Sequence, residues 1–583
     1  MSWITENAIV SQANLVSCLV CLKNDAVANA AFVKLQSEYG SRPNFRQVVC
    51  TIGDNLRWRN INPQAARQMY TLAASGDLYP DMILARMGLA ISCIRLKDFD
   101  AAGPVIESIA ADFGGDARIG RAICHIADAY RDVRSHGDAR RLYQYVIDHY
   151  PNDEYAMWSQ AGIAVSAIDS KDEQIAQAAI ENLRANHASR PDFAAAVCVV
   201  ADNYRWREGF AKAKDLYSLA ATAGPNHRQG IWFQMGLAIC SICVNDPNTA
   251  QAAIAKLHGQ YRNDPGLAQA LYEVGATFGN ARQYDKATAE FNQVITTWPD
   301  SDYAMLAKVG LGLIQVGQGH DTAGETAFQK LLGDHRNHPK LAQAAHLMAE
   351  AYFYRAMALE QEDAKLVGSA KYAEIVREQR QSEAVKGYYE KAIQKWRVII
   401  EELPPTPYTV QAWYFTGVIY RRHLGQPEKA LPYYEKVVSE WPDYDHAWSA
   451  QAMIAKCYER LRNAGKVPAS EAEPKIEQAY KAVVEKYPTC PLAKEAYLTL
   501  GRTNLKKERW AEAARYYSEF LEKYPQAKEW LTALIYLGVT YERRGQMDAA
   551  VALYRNYVNM SNPTDSRVKA VRAKLETMEG AEK

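Results

Sequence analysis

The sequence predicts an all-α solenoid of about fourteen helical hairpins, on three observations. First, a 74-residue period runs through the first 340 residues. Pro43, Ala117, Pro191, Pro265 and Pro339 lie one step apart, and Gly88, Gly162, Gly236 and Gly310 keep the same step. Second, apolar residues within each period recur at helical spacing. Third, prolines fall where helices begin, where a missing N–H costs nothing. A solenoid grows by adding units to one continuous core, so the 583-residue length does not imply the usual division into about four domains.

Each 74-residue unit holds two hairpins. In the stretch from Pro191 to Pro225, Ala194, Val197, Cys198, Ala201 and Tyr204 line one helical face. A turn falls near Arg207-Glu208-Gly209, and Ala213, Tyr217 and Ala220 mark the second helix. Asn14 to Phe45 aligns without gaps with Gly88 to Ile119. The chain therefore opens partway through a unit, as a cap or as a fragment of a longer protein.

The regular array is expected over residues 1–338. Residues 339–404 break it: no proline intervenes between Pro339 and Pro404, and a charged stretch runs from Glu360 to Gln381. Two lengthened helices, or an inserted third, are expected to project there. Hairpins resume over 405–563, interrupted from Arg462 to Pro474 by what reads as a long loop around Pro468. Residues 564–583 read as a capping helix and tail, with Asp565 to Met578 amphipathic.

One hairpin reads Gly275, Phe278, Ala287, Phe291, Pro299, and another Ala127, Tyr130, Ala139, Tyr143, Pro151. A third reads Gly501, Ala513, Tyr517, Pro525, with Asn504 at the first aromatic position. Gly417/Tyr420/Ala430/Tyr434/Pro442 and Gly538/Tyr541/Ala550/Tyr554 follow with shifts of one residue. This order of small, aromatic, alanine, aromatic and proline resembles the tetratricopeptide repeat. The resemblance implies a right-handed superhelix and a scaffold that binds a protein or peptide along its concave surface. Junctions such as Tyr150-Pro151-Asn152 and Trp298-Pro299-Asp300 are similar in style to bacterial members of the cell envelope. They leave open an architectural, self-associating component of a large assembly.

The charge balance, 68 basic against 67 acidic residues, predicts no nucleic-acid partner. No run of 18 apolar residues predicts a membrane helix. Leu15-Val16-Ser17-Cys18 matches a lipoprotein cleavage site, but the preceding segment lacks the basic and apolar regions of a signal. The expected location is therefore the cytoplasm, or the envelope or periplasm if an export signal lies upstream of residue 1. Of ten cysteines, Cys18/Cys21 and Cys240/Cys243 form C-x-x-C pairs three periods apart, and they are expected to be buried structural thiols. Many unpaired thiols fit a reducing compartment. Phosphate-loop, zinc-hydrolase, nucleophile-elbow and dinucleotide motifs are all missing, and His335/His338 fall at a hairpin junction, so neither an enzyme nor a cofactor or metal site is expected.

The remaining candidate is a ladder. Asp54, Asp128 and Asp202 recur at the 74-residue step, each followed three residues later by Arg57, Arg131 or Arg205, and Glu350 keeps the phase. Each pair can close on itself at i,i+3 and hold the repeat in register. The family resemblance places these positions on the binding groove, flanked by Trp58 and Trp206. In the next unit they become Ala276 and Gly279, which bounds the patch. In the alternate hairpins the phase is held by Leu89, Ile163, Leu237 and Leu311, expected to touch neighbouring helices instead.

Overall fold

A computed structural model describes residues 2–22, 24–58, 62–367, 383–560 and 566–580, and every regular element among them is helical. The chain divides into two compact units, 1–294 and 295–583. In the first, hairpins follow one another with helices of about fourteen residues, as in Ile119–Asp132 with His136–His149 and Phe193–Trp206 with Phe210–Ala223.

The hairpin turn is built the same way each time. Lys97, Arg134, Lys171, Glu208, Asn245 and Arg282, 37 residues apart, adopt a left-handed backbone with φ between 58° and 64°. The following amide then bonds a carbonyl five residues back, as in Asp98 to Cys93 (2.9 Å) and Asp172 to Ala167 (2.8 Å). This double closure satisfies the last carbonyls of the first helix. Asp98, Asp172 and Asp246 then cap the second helix, each carboxylate accepting from an amide three residues on. The turn thus takes only three residues, and it repeats at half the period that the sequence displays.

The 74-residue period arises because two kinds of hairpin alternate. In those that begin at Phe45, Ile119 and Phe193, the second helix packs on its own first helix and on the first helix of the next hairpin. In those that begin at Met82, Glu154 and Gly230, the second helix stays with its own partner and barely meets the next hairpin. There the two successive first helices pack on each other instead. The first helix of the alternate hairpin is therefore enclosed on all sides. In Gly230–Cys243 every residue is buried except Trp232 and Cys243, matching its apolar circumference. Ile163 and Leu237 are buried and Leu89 half-buried, as their place in the alternate hairpins requires.

Between hairpins of the two kinds sits a wedge. Tyr70, Tyr143 and Tyr217 project from second helices and are fully buried. Each ring lies against a glycine of the following first helix. A β-carbon at Gly88, Gly162 or Gly236 would stand 2.2, 2.5 or 2.3 Å from ring atoms. Tyr70 is held on its other side by Gly53, where the corresponding distance is 2.9 Å.

In the second unit, Leu341–Val367 and Glu383–Glu401 run 27 and 19 residues, well beyond the ordinary hairpin helix. Residues 368–382, where a third helix was a possibility, lie outside the described residues. The two long helices close on Trp396, whose indole donates to His346 (3.1 Å) and stacks on Phe415 at 5.5 Å. Pro407–Val418 runs into a π turn, Ile419–His423, and the Gln426 amide reaches back six residues to Tyr420 rather than five. That extra residue accounts for the shifted spacing between Tyr420 and Ala430.

Two expectations need correction. Arg462 to Pro474 is not a long loop, because Ala447–Asn463 and Ala469–Lys486 leave only 464–468 between them. Pro468 precedes the second of these helices, and Pro474 lies inside it. Nor are the C-x-x-C thiols uniformly buried: Cys240 is, whereas Cys18, Cys21 and Cys243 are exposed. Helical spacing places i and i+3 on the same side but does not say which side is covered. Ser566–Gly580 buries Val568, Val571 and Leu575 on the hairpin before it.

Two stability predictions follow from this packing. An L-residue in the left-handed region costs about 1 kcal/mol relative to glycine. Lys171→Gly is therefore expected to leave the urea midpoint unchanged or raise it slightly, by at most about 0.5 kcal/mol of stability after the entropic cost of glycine. Gly162→Leu is expected to do the opposite and more strongly, costing about 3 kcal/mol or preventing folding of the first unit, and circular dichroism during urea unfolding would show a lower or missing transition.

Candidate functional site

The ladder residues stand on the last two turns of three first helices, Phe45–Trp58, Ile119–Asp132 and Phe193–Trp206. Their Asp–Arg pairs close at 3.2, 3.0 and 3.3 Å. Each pair also takes in the hydroxyl of the wedge tyrosine of its own hairpin. Tyr70 donates to Asp54 (2.7 Å) and accepts from Arg57 (2.9 Å). Tyr143 donates to Asp128 (2.6 Å) and accepts from Arg131 (3.2 Å). Tyr217 donates to Asp202 and accepts from Arg205 (3.0 Å). The result is a neutral triad repeated three times.

Sequence reasoning paired Asp with Arg but read the tyrosines only as part of the repeat pattern. The signal lay in a correlation: where the ladder changes to Ala276 and Gly279, the wedge residue changes to Phe291, which has no hydroxyl. Glu350 keeps the phase but not the role, since it pairs with His346 (3.6 Å).

Burial within the triad sets its electrostatics. Burial pushes the Tyr143 phenol well above its ordinary value, with the Asp128 charge adding to it. The Asp128 carboxyl is held low, because His125, Arg131 and Tyr143 together outweigh the burial that would raise it. Burial also pushes the neighbouring Cys50 and Cys124 thiols up to about 12, which keeps them protonated and unreactive at neutral pH. Among the described residues, no cluster of His, Cys, Asp or Glu has a metal-holding arrangement, and no helix is long and apolar enough to cross a membrane.

What the ladder offers outward is uneven. The arginine side chains are 21, 24 and 17 % exposed and the aspartates 49, 34 and 41 %. The carboxylate is therefore the more open member of each pair. Trp206 is 75 % exposed, with the Arg205 guanidinium 4.8 Å from its ring, and exposed Val199 lies two turns before it on the same face. The Trp58 side chain lies outside the described residues.

Tetratricopeptide-repeat family models match residues 269–301, 411–444, 470–528 and 532–560. The chain is a tetratricopeptide-repeat protein. No curated protein matches it at a significant level. Among solved structures, it is similar to a tetratricopeptide repeat protein from Parabacteroides merdae at 15 % identity, covering 51 % of this chain and 98 % of that one, with a TM-score of 0.28. PilW, described as a widely conserved type IV pilus biogenesis factor, matches at 14 % identity over 46 % of this chain and 99 % of its own, with a TM-score of 0.23. A human IFIT1 dimer with m7Gppp-AAAA matches at 12 % identity over 85 % and 97 %, with a TM-score of 0.28. For a tetratricopeptide-repeat protein, interaction with other proteins is the general role.

The triad yields two expected outcomes. Tyr143→Phe leaves a partly buried Arg131 and Asp128 short of a partner and should cost about 1–2 kcal/mol in a urea melt, whereas trimming an exposed tyrosine should cost little. The second concerns acid. A carboxyl whose folded pKa is depressed stabilises the fold above its unfolded value, and that contribution is lost as pH falls through the folded pKa. Below about pH 4 the native chain should therefore lose stability faster than Asp128→Asn, measured as the urea midpoint against pH.

Proposed function

We propose that this protein is a non-catalytic scaffold that binds a protein or peptide partner along the concave surface made by the first helices of the triad-bearing hairpins. The observation that carries the reading is Trp206, a large aromatic side chain left 75 % exposed beside Val199 and steadied by Arg205. Tryptophan and arginine are the side chains that most often dominate binding energy at protein interfaces. The triads support the reading because they hold charged groups in fixed positions before any partner arrives, which lowers the entropic cost of association. Asp54, Asp128 and Asp202 give the surface open carboxylate edges, suited to a partner segment with basic or hydrogen-bond-donating groups around an apolar anchor.

Affinity capture from a lysate of the source cells, with the native chain and Trp206→Ala in parallel, tests this. The substitution removes no internal contact of the core, so circular dichroism should be unchanged. A partner held by the native chain is expected to bind the variant about 30-fold more weakly, a loss of about 2 kcal/mol. Equal recovery by both would remove the assignment of this surface.

One observation favours an architectural role as a second reading. Val10, Leu15, Leu22, Val27 and Val33 on the first hairpin are between 47 and 75 % exposed. If they mediate self-association, light scattering should show a concentration-dependent mass that Leu22→Glu abolishes.

A further inference from the structure

Because the second helix of each alternate hairpin barely meets the next hairpin, a cleft is left at that junction, and its lining can be compared from one junction to the next. At the first, Phe99 opens the second helix and stacks on Tyr130, with centroids 5.7 Å apart. At the second, Glu173 holds the same place, accepts from the Tyr204 hydroxyl (2.9 Å) and pairs with Lys212, whose ammonium lies 5.4 Å from the Tyr204 ring. In the second unit, Asp321 holds the corresponding place and pairs with Lys391 (2.8 Å), whose ammonium lies 5.4 Å from the Tyr352 ring. Two junctions thus share one arrangement: an aromatic floor, a lysine above it, and a carboxylate on the lysine.

The third junction in the first unit has the floor and the lysine but no carboxylate. Phe278 is the aromatic, and the Lys286 ammonium lies 5.3 Å from its ring. The place of Glu173 and Asp321 is taken by Pro247, which has no charge to pair with the lysine. The second junction has a cleft of about 720 Å³, but there the lysine is already paired with Glu173. The cleft at the third is about 530 Å³, with Ile242, Ile254 and Phe278 among its lining residues. Of its three charged side chains, Asp246 is paired with Lys214 (3.0 Å) and Glu290 with His258 (3.2 Å), while Lys286 bonds only the side-chain amide of Gln283. The Ser241 hydroxyl, fully buried among the lining residues, has no hydrogen-bond partner.

We propose that this cleft docks an acidic peptide segment of a partner protein, whose carboxylate pairs with Lys286 while an adjacent apolar side chain lies on Phe278, Ile242 and Ile254. The occupant supplies what Glu173 and Asp321 supply at the other junctions. The site is independent of Trp206, which does not line it.

The test is fluorescence anisotropy with the full chain and a labelled peptide, Gly-Leu-Phe-Glu-Asp-Gly, alongside its amide counterpart Gly-Leu-Phe-Gln-Asn-Gly. Saturable binding of the acidic peptide is expected, weaker by about tenfold or more for the amide and for Lys286→Glu, since a charge-assisted bond is lost in each. Pro247→Glu should weaken binding similarly, because it installs the carboxylate found at the preceding junction and occupies Lys286 from within. Both positions are exposed, so both variants should retain the native helical spectrum. Trp206→Ala should bind the peptide as the native chain does, which separates this site from the surface proposed above. Absence of saturable binding, equal affinity for the amide, or native affinity in either cleft variant would overturn the proposal.

Discussion

The first unit depends on a tyrosine ring that enters where a glycine has made room. Tyr70, Tyr143 and Tyr217 are fully buried against Gly88, Gly162 and Gly236, at separations that leave no space for a methyl group. A buried aromatic of this size removes roughly 150–250 Å² from water, and its contacts fall away if the facing helix retreats by an ångström. The glycine and the tyrosine therefore set the interhelical distance together. The hydroxyl must also be satisfied at that depth, and the Asp–Arg pair does so. Packing and polar satisfaction are joined in one side chain, so the ladder is first of all part of the wedge.

That coupling changes the meaning of the charged residues. Free surface pairs of Asp and Arg contribute little, because each side chain must be ordered to meet the other. Here the tyrosine fixes one corner of the triad and the helix backbone fixes the other two. The arginine ends up mostly covered and the aspartate keeps an open edge. The aspartate is thus the more open member of each neutral triad, and Trp206 is an exposed apolar point beside the third.

The sequence was legible where a residue type carries only one physical meaning. Glycine at a fixed step marked the period, and proline at a fixed step meant a helix start, so the helical hairpins and the 74-residue unit could be read directly. The hairpin turn was placed correctly near Arg207-Glu208-Gly209, but its backbone conformation could not be read by the same means. Its left-handed position is held by Lys97, Arg134, Lys171, Glu208, Asn245 and Arg282, whose side chains share nothing that marks a positive φ. The role of the tyrosine hydroxyls was hidden for a related reason, since an aromatic at that position serves packing whether or not it carries an oxygen. The thiols of Cys18, Cys21 and Cys243 were misjudged because periodicity reports a face and not its cover. The open cleft at Pro247 depends on comparing four junctions in space, and nothing in the local sequence points to it.

The alternation of hairpins carries a consequence for how such an array changes length. In the first unit, a wedge tyrosine needs a glycine-bearing helix after it, and the enclosed helix that bears this glycine needs another first helix on its far side. A single hairpin of 37 residues therefore has the wrong neighbours wherever it is spliced in. Only a whole pair restores both contacts. From Pro407 onward the hairpins follow a different rule, with Tyr434, Tyr517 and Tyr554 each set against a glycine of its own hairpin, at Gly417, Gly501 and Gly538. The contacts just described are thus preserved in steps of two hairpins in the first unit and in steps of one from Pro407 onward.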